Sequence, residues 1–241
     1  MSAYDALKEA AWRCNMELHA LSLAVRTFGN ASAVDRARGV IAIKPSGVPY
    51  GELRPDMMVV VGLDNTVVEG SLRPSSDTKT HTHLYRHFEG IGGVVHTHSP
   101  YATAWAQARR PVPVLGTTHA DHLPEPIPCT APLSDRAIRG DYEEETGKMI
   151  VRTFAHRSYE EVPMVLVAGH GPFAWGATPE AAVEHSFMLE ALAKMACLTL
   201  TINPSARPLR QSLIDKHFRR KHGPGSYYGQ PREGRGKGEH R

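Results

Sequence analysis

The run Val94-Val95-His96-Thr97-His98 sets two imidazoles one residue apart at the end of an apolar stretch. Such a stretch reads as a strand, whose side chains alternate faces. Both rings therefore project to one side, roughly 6.6 Å apart along the backbone. Two imidazoles so arranged can converge on one metal ion through bonds of about 2.0–2.1 Å. Two surface histidines on an edge strand are the bland alternative. Gly92-Gly93 before the pair and Ser99-Pro100 after it favour a buried strand running into a helix. Strand ends of that kind are where α/β proteins keep their chemistry.

A third imidazole is offered by His170 in Val167-Ala168-Gly169-His170-Gly171-Pro172, where flanking glycines let the backbone approach a ligand. A plain turn histidine is the competing reading. Asp77, in the first turn of an expected helix, can add a carboxylate or serve only as a cap. Three histidines and one carboxylate suit Zn²⁺ or another first-row divalent ion. A rival set is His83 and His87, four apart on a helix with His81 nearby. An i,i+4 pair can bind zinc, yet the H-E-x-x-H pattern is missing, and a solvated helix face explains the pair as well.

Anion-binding candidates accompany these. Lys44-Pro45-Ser46-Gly47 combines a cation, a hydroxyl and a glycine, and Gly29-Asn30 is a backbone-rich turn. Ser75-Ser76 sits at a helix N-terminus, where free N–H groups and the dipole favour phosphate. Together they point to a phosphorylated small molecule. Thr117-Thr118-His119-Ala120-Asp121-His122 packs titratable groups that suit a general acid or base, or only a polar surface loop. Tyr227-Tyr228 precedes a polar tail and needs an anchor, which simple packing would supply.

The elements that position these groups follow from periodicity. Residues 3–26 read as an amphipathic helix with Tyr4, Leu7, Ala11, Cys14, Leu18, Leu21 and Val25 on one face, opened by a Ser2/Asp5 capping box. Short strands are expected at 40–43, 57–63 and 66–68, and a helix at 76–87. A strand at 91–98 and a helix at 99–109, with Pro100 at its first position, come next. Residues 142–156 read as helical, 163–169 as a central strand, and 178–201 as the longest helix. One layered α-β-α domain results, covering residues 1–230, with 231–241 a disordered basic tail.

Composition narrows the function. With 241 residues, 41% apolar and 22% charged, the chain suits a globular domain with a full core. No apolar run reaches the ~18–20 residues of a membrane span. Met-Ser-Ala-Tyr-Asp carries no signal-peptide pattern, so a cytoplasmic chain is expected. Cys14, Cys129 and Cys197 form no C-x-x-C pair and read as reduced thiols. The basic cluster Arg219-Arg220-Lys221-His222 lacks any recognition motif, so neither nucleic acid nor membrane is an expected partner. Dinucleotide and Walker-type fingerprints are missing.

In order along the chain, Gly29-Asn30, Ile43-Lys44-Pro45-Ser46-Gly47, Pro74-Ser75-Ser76-Asp77, His96-Thr97-His98, Gly116-Thr117-Thr118-His119-Ala120-Asp121, His170-Gly171-Pro172-Phe173-Ala174-Trp175, Asp215-Lys216-His217 and Tyr227-Tyr228-Gly229-Gln230 resemble the motifs of the class II aldolase/epimerase family. The resemblance implies an α-β-α domain with a mainly antiparallel sheet. It implies a zinc site of Asp77, His96, His98 and His170, and phosphate contacts from Asn30, Lys44, Ser46, Gly47, Ser75 and Ser76. It implies Asp121 and Tyr228 as an acid–base pair assisted by Thr117 and His217. It further implies a homotetramer in which that pair reaches a neighbouring subunit's metal. Asp77 stands where fuculose-phosphate-type aldolases carry Glu. This favours inversion at C4 of L-ribulose 5-phosphate, a phosphorylated pentulose, over net aldol cleavage. A sugar-phosphate aldolase and a non-catalytic scaffold of the adducin-head type are the alternatives.

Overall fold

A computed structural model of the protein describes residues 2–222 and Ser226. Tyr228 and the expected tail 231–241 lie outside them. The chain forms α1 (Asp5–Ala20), β1 (Asn30–Asp35), β2 (Val40–Ile43), β3 (Val59–Gly62), β4 (Val67–Glu69), α2 (Thr78–His87), β5 (Gly93–His96), α3 (Pro100–Ala108), α4 (Thr117–Ala120), α5 (Asp135–Arg139), α6 (Tyr142–Thr153), β6 (Met164–Leu166), β7 (Pro172–Gly176), α7 (Pro179–Ile202) and α8 (Gln211–Lys221). The strands make one seven-stranded sheet ordered β4-β3-β2-β1-β5-β7-β6, antiparallel at every pair.

Strand alternation sorts the sheet into two faces. Ile41, Ile43, Val59, Val61 and Val94 pack with Leu84 and Tyr85 of α2 and Ile150 of α6. Ala31, Ala33, Ala42 and Val95 face Ala11, Cys14 and Leu18 of α1 and Ala182 and Val183 of α7. Alanines on that second face let α1 approach the sheet closely. Asn15, fully buried on α1, bonds both backbone groups of Ala31. The expected α-β-α layering is therefore present, and the three cysteines are free.

Two expectations change, and three elements come without a sequence signal. The first helix stops at Ala20 instead of 26, because Ser22 turns left-handed at φ 58°. Ser22 N–H bonds His19 O and Leu23 N–H bonds Leu18 O, a Schellman ending sealed by the Leu23–Leu18 contact. The segment at 163–169 yields β6, an edge strand instead of a central one. Its apolar run is buried because Pro128 O and Thr130 N–H close on Leu166 along the open edge. β1 and β7 carry no strand signal: the first is small and polar, and the second starts on a proline. Nor does α8 carry a helix signal, since its one buried residue is Ile214.

β5 and β7 meet at Gly93 opposite Gly176, under the start of α7. A Cβ on Gly93 would run into the Pro179 backbone at Cα. Gly93→Ala should therefore lower stability by about 1–3 kcal/mol through overpacking. Urea unfolding reads this directly, and an unchanged midpoint would mean that α7 yields freely.

Candidate active site

Three backbone devices bring the imidazoles together. His96 ends β5, paired in register with Asn30 on one side and Phe173 on the other. The strand stops there, two residues short of the expected end. Even so, the ring of His98 lies 4.8 Å from that of His96 and 5.2 Å from that of His170. His170 is carried by the turn joining β6 to β7, closed by Val167 N–H to Gly171 O at 2.9 Å. Gly169 in that turn has φ +76°, a conformation that glycine adopts without strain. One ligand atom from each of His96, His98 and His170 lies within 4.8 Å of the others.

On His96 and His170 the second ring nitrogen is occupied. His96 Nδ1 lies 2.9 Å from Pro172 O, a carbonyl that can only accept, so Nδ1 carries the hydrogen and Nε2 is bare. His170 Nδ1 lies 3.2 Å from the Tyr142 hydroxyl. Metal-binding histidines are commonly oriented by such partners. Burial, then the neighbouring His96, pushes the His170 pKa down to about 4, and the same two causes lower that of His98. Neutral imidazoles are what a metal requires. This donor set fits a divalent ion.

The imidazoles floor a cavity of about 390 Å³. Its walls include every expected phosphate-binding residue: Asn30, Lys44, Ser46, Gly47, Ser75 and Ser76. Ser75 N–H to Lys44 O and Ser46 N–H to Arg73 O zip the two segments together. Ser75 and Ser76 precede α2, so their backbone shares its positive N-terminal end. Lys44 is buried, with Nζ 4.9 Å over the Tyr50 ring and only long contacts to Thr27 O and Pro45 O. Burial pushes its pKa down to about 8.

Asp77 also lines the cavity, but it stands outside the three-imidazole group. Its Oδ2 accepts from Asn30 Nδ2 at 2.7 Å. Burial works to raise its pKa, yet His96, His81 and the Asn30 bond together hold it below the usual carboxylate range.

The expected acid–base group is assembled elsewhere. Thr117 and Asp121 sit at α4 and His217 on α8, and none of them lines the cavity. Asp121 accepts from His217 Nδ1 at 2.9 Å and from Arg220 at 2.8 and 2.6 Å. Burial pushes its pKa up, but the Arg220 and His217 bonds outweigh this and hold it low. Tyr228 lies outside the described residues.

The rival histidines form no metal group among the described residues. His83 Nδ1 bonds Glu144 at 2.8 Å and stacks on His87 at 4.1 Å, on the α2–α6 seam. His81 is fully buried, and burial takes its pKa down to about 3. Tyr142 and Arg220 escape the sequence reading, since neither has a local signal tying it to His170 or Asp121. His81 has one, its i,i+4 spacing from Asp77.

The family model for the class II aldolase and adducin N-terminal domain matches residues 9–197. The L-ribulose-5-phosphate 4-epimerase UlaF of Salmonella paratyphi C (strain RKS4594) is 50% identical over 224 residues, covering 93% of this chain and 98% of that protein. UlaF of Salmonella choleraesuis (strain SC-B67) matches to the same extent. Among solved structures, an L-fuculose 1-phosphate aldolase superposes with a TM-score of 0.75 at 24% identity, over 91% of this chain and 97% of that one. The L-fuculose-1-phosphate aldolase of Thermus thermophilus gives 0.62 at 24%, over 84% and 98%. With sheet, cavity and sequence in agreement over most of its length, the chain belongs to the class II aldolase and adducin N-terminal domain family.

Proposed function

We propose that the protein is an L-ribulose-5-phosphate 4-epimerase, interconverting that ketose with D-xylulose 5-phosphate. The observation that carries this reading is one cavity that three converging imidazoles share with Asn30, Lys44, Ser46, Gly47, Ser75 and Ser76. The half-identity to UlaF enzymes favours the epimerase over an aldolase. A coupled assay for D-xylulose 5-phosphate formed from L-ribulose 5-phosphate tests it. Accumulating free aldehyde without epimerised product would support the aldolase instead.

C4 of the substrate is not adjacent to the carbonyl, so its hydrogen is not acidic. Inversion there therefore proceeds by breaking C3–C4. A base takes the proton of the C4 hydroxyl, the C3–C4 electrons pass to the C2–C3 unit as an enediolate, and glycolaldehyde phosphate is left. The aldehyde turns, held by its phosphate, and the enediolate adds to its other face while an acid returns the proton. A divalent ion at His96, His98, His170 and Asp77, with zinc the reading we favour, supplies Lewis-acid stabilisation of the negative charge when bound. Lys44, Ser46, Gly47, Asn30, Ser75 and Ser76 hold the phosphate through the turn. Asp121 and Tyr228 serve the two faces as the acid–base pair, with Thr117 and His217 assisting.

We assign a homotetramer with shared sites; the separation of Asp121, Thr117 and His217 from the cavity supports the sharing between subunits. Supporting it, Met195, Leu198 and Ile202 of α7 are exposed beside an apolar groove of about 300 Å³ that reaches Thr118. Apolar surface of this kind marks an interface. We assign the enzyme to the cytoplasm.

Lys44 gives the reading a pH signature. Its charge is present below about pH 8 and is lost as pH rises through that value. KM for the sugar phosphate should therefore rise above pH 8 with kcat little changed. Lys44→Arg should flatten the rise, because a guanidinium stays charged. A KM in the parent that stays constant well above that pH would remove Lys44 from the phosphate site.

A further inference from the structure

Behind the phosphate-binding wall of the cavity stands one aromatic side chain that touches two of its segments. Tyr50 opens a short 3-10 turn, Tyr50–Glu52, straight after Pro49. It is 2% exposed and does not itself line the cavity. Its hydroxyl donates to Gly29 O at 2.9 Å. Burial pushes the Tyr50 pKa up, so the hydroxyl keeps the hydrogen that this bond needs. The Lys44 ammonium lies over the ring, 4.9 Å from its centroid. His19 of α1 stacks on the same ring at 5.3 Å, with 5° between the planes. Trp12 Nε1, also on α1, donates to Leu53 O at the end of the turn. The tyrosine is thus fastened to α1 as well as to the wall.

Each contact answers a physical need. Lys44 is a buried cation with which no carboxylate pairs among the described residues; its Nζ reaches only Thr27 O and Pro45 O, at 3.4 and 3.5 Å. A buried charge is costly unless something compensates it. An aromatic face attracts a cation, and more strongly where water is excluded. Unlike a carboxylate, the ring brings no negative charge that would repel a phosphate. Gly29 has φ +89°, and a Cβ there would meet His96 O at 3.2 Å, so this turn runs close against the end of β5. The carbonyl that Tyr50 holds belongs to the peptide entering Asn30. Asn30 Nδ2 in turn reaches Ser75 Oγ at 3.1 Å and Asp77 Oδ2 at 2.7 Å.

We propose that Tyr50 is a positioning residue for phosphate binding: its ring holds the Lys44 ammonium without a competing negative charge, and its hydroxyl fixes the peptide that sets Asn30 beside it. This role rests on the reading of Lys44 and Asn30 as phosphate contacts. It accounts for a lysine buried without a carboxylate and for a tyrosine hydroxyl spent on the turn that precedes β1.

Two variants separate ring from hydroxyl. Tyr50→Phe keeps the ring and removes the bond to Gly29 O, whereas Tyr50→Leu removes both. The readouts are binding of inorganic phosphate by phosphorus NMR titration, KM and kcat for L-ribulose 5-phosphate, and Co²⁺ affinity by chelator competition. Tyr50→Phe should weaken phosphate binding about 2–10-fold, the worth of one hydrogen bond. Tyr50→Leu should weaken it about tenfold or more, because the cation–π contact goes too. KM should rise in step, while kcat and Co²⁺ affinity stay within about threefold, as expected when binding alone is lost. On a Lys44→Met background Tyr50→Phe should keep its effect on kcat/KM, since it acts through Gly29. The further loss from Phe to Leu should vanish there, because the cation is gone. Parental phosphate binding in either variant, a further Phe-to-Leu loss that survives without Lys44, or a fall in kcat and Co²⁺ affinity as large as that in phosphate binding would each overturn the proposal. If Tyr50→Leu does not fold, Tyr50→Phe, alone and with Lys44→Met, decides. Lys44→Met by itself keeps the two readings apart. Parental phosphate binding there removes the phosphate site as read, whereas loss there with none in the Tyr50 variants removes only the role of Tyr50.

Discussion

His96→Ala should purify without its metal and epimerise L-ribulose 5-phosphate about 10³-fold more slowly, or worse. A Lewis acid contributes several kcal/mol to the transition state, and each ~1.4 kcal/mol is a factor of ten. The size follows from the position of the residue. His96 is paired with Asn30 and Phe173 at the centre of the sheet, and its Nδ1 is committed to Pro172 O. The loss also removes one of two donors to the Pro172 carbonyl, which keeps the Thr97 N–H, so the bond itself costs about 0.5–1.5 kcal/mol of stability. Melting and circular dichroism therefore accompany the rate measurement. His98→Ala provides the companion result, because His98 is only half-buried and its loss should spare stability while removing the metal. Elemental analysis settles the assignment. A His96→Ala protein that is metal-free and fully active would end it.

The site was legible to the extent that its parts are local. His96 and His98 share a face at the end of a strand, Ser75 and Ser76 open a helix, and Lys44 follows a strand. Each of these is a short-range pattern. The strand ending at His96 shortened the alternation argument but did not defeat it, because the rings still converge. Apolarity misled at residues 163–169, because it reports burial and not place in the sheet. There the open edge is covered by the segment around Pro128 and Thr130. Tyr142 was illegible for a different reason. It meets His170 across 28 residues, at the start of a helix whose docking is set by the α2–α6 seam. Arg220 meets Asp121 across 99 residues from a helix with one buried side chain. Nothing in the local sequence encodes such a pairing.

Asp121→Asn should lower kcat about 10²–10⁴-fold, the usual contribution of a positioned acid–base group, while leaving metal content and the phosphate-dependent KM unchanged. Asparagine keeps the shape and can still meet His217, so folding should survive. Arg220 is part-exposed, so its guanidinium stays partly solvated when Asp121 loses its charge. The stronger experiment mixes this variant with His98→Ala, each inactive alone. In a single chain the imidazole cavity and the Asp121 group are separate, so a self-contained monomer site predicts no rescue. In a closed ring each site takes its metal half from one subunit and its acid–base half from the next. Random exchange of equal amounts then gives about one quarter of the sites two intact halves. Refolding the mixture together from denaturant ensures the exchange. Recovery near that fraction supports the shared site. Mixtures that co-assemble but stay inactive would return Asp121 to the role its bonds already suggest in one chain, a clasp between α4 and α8.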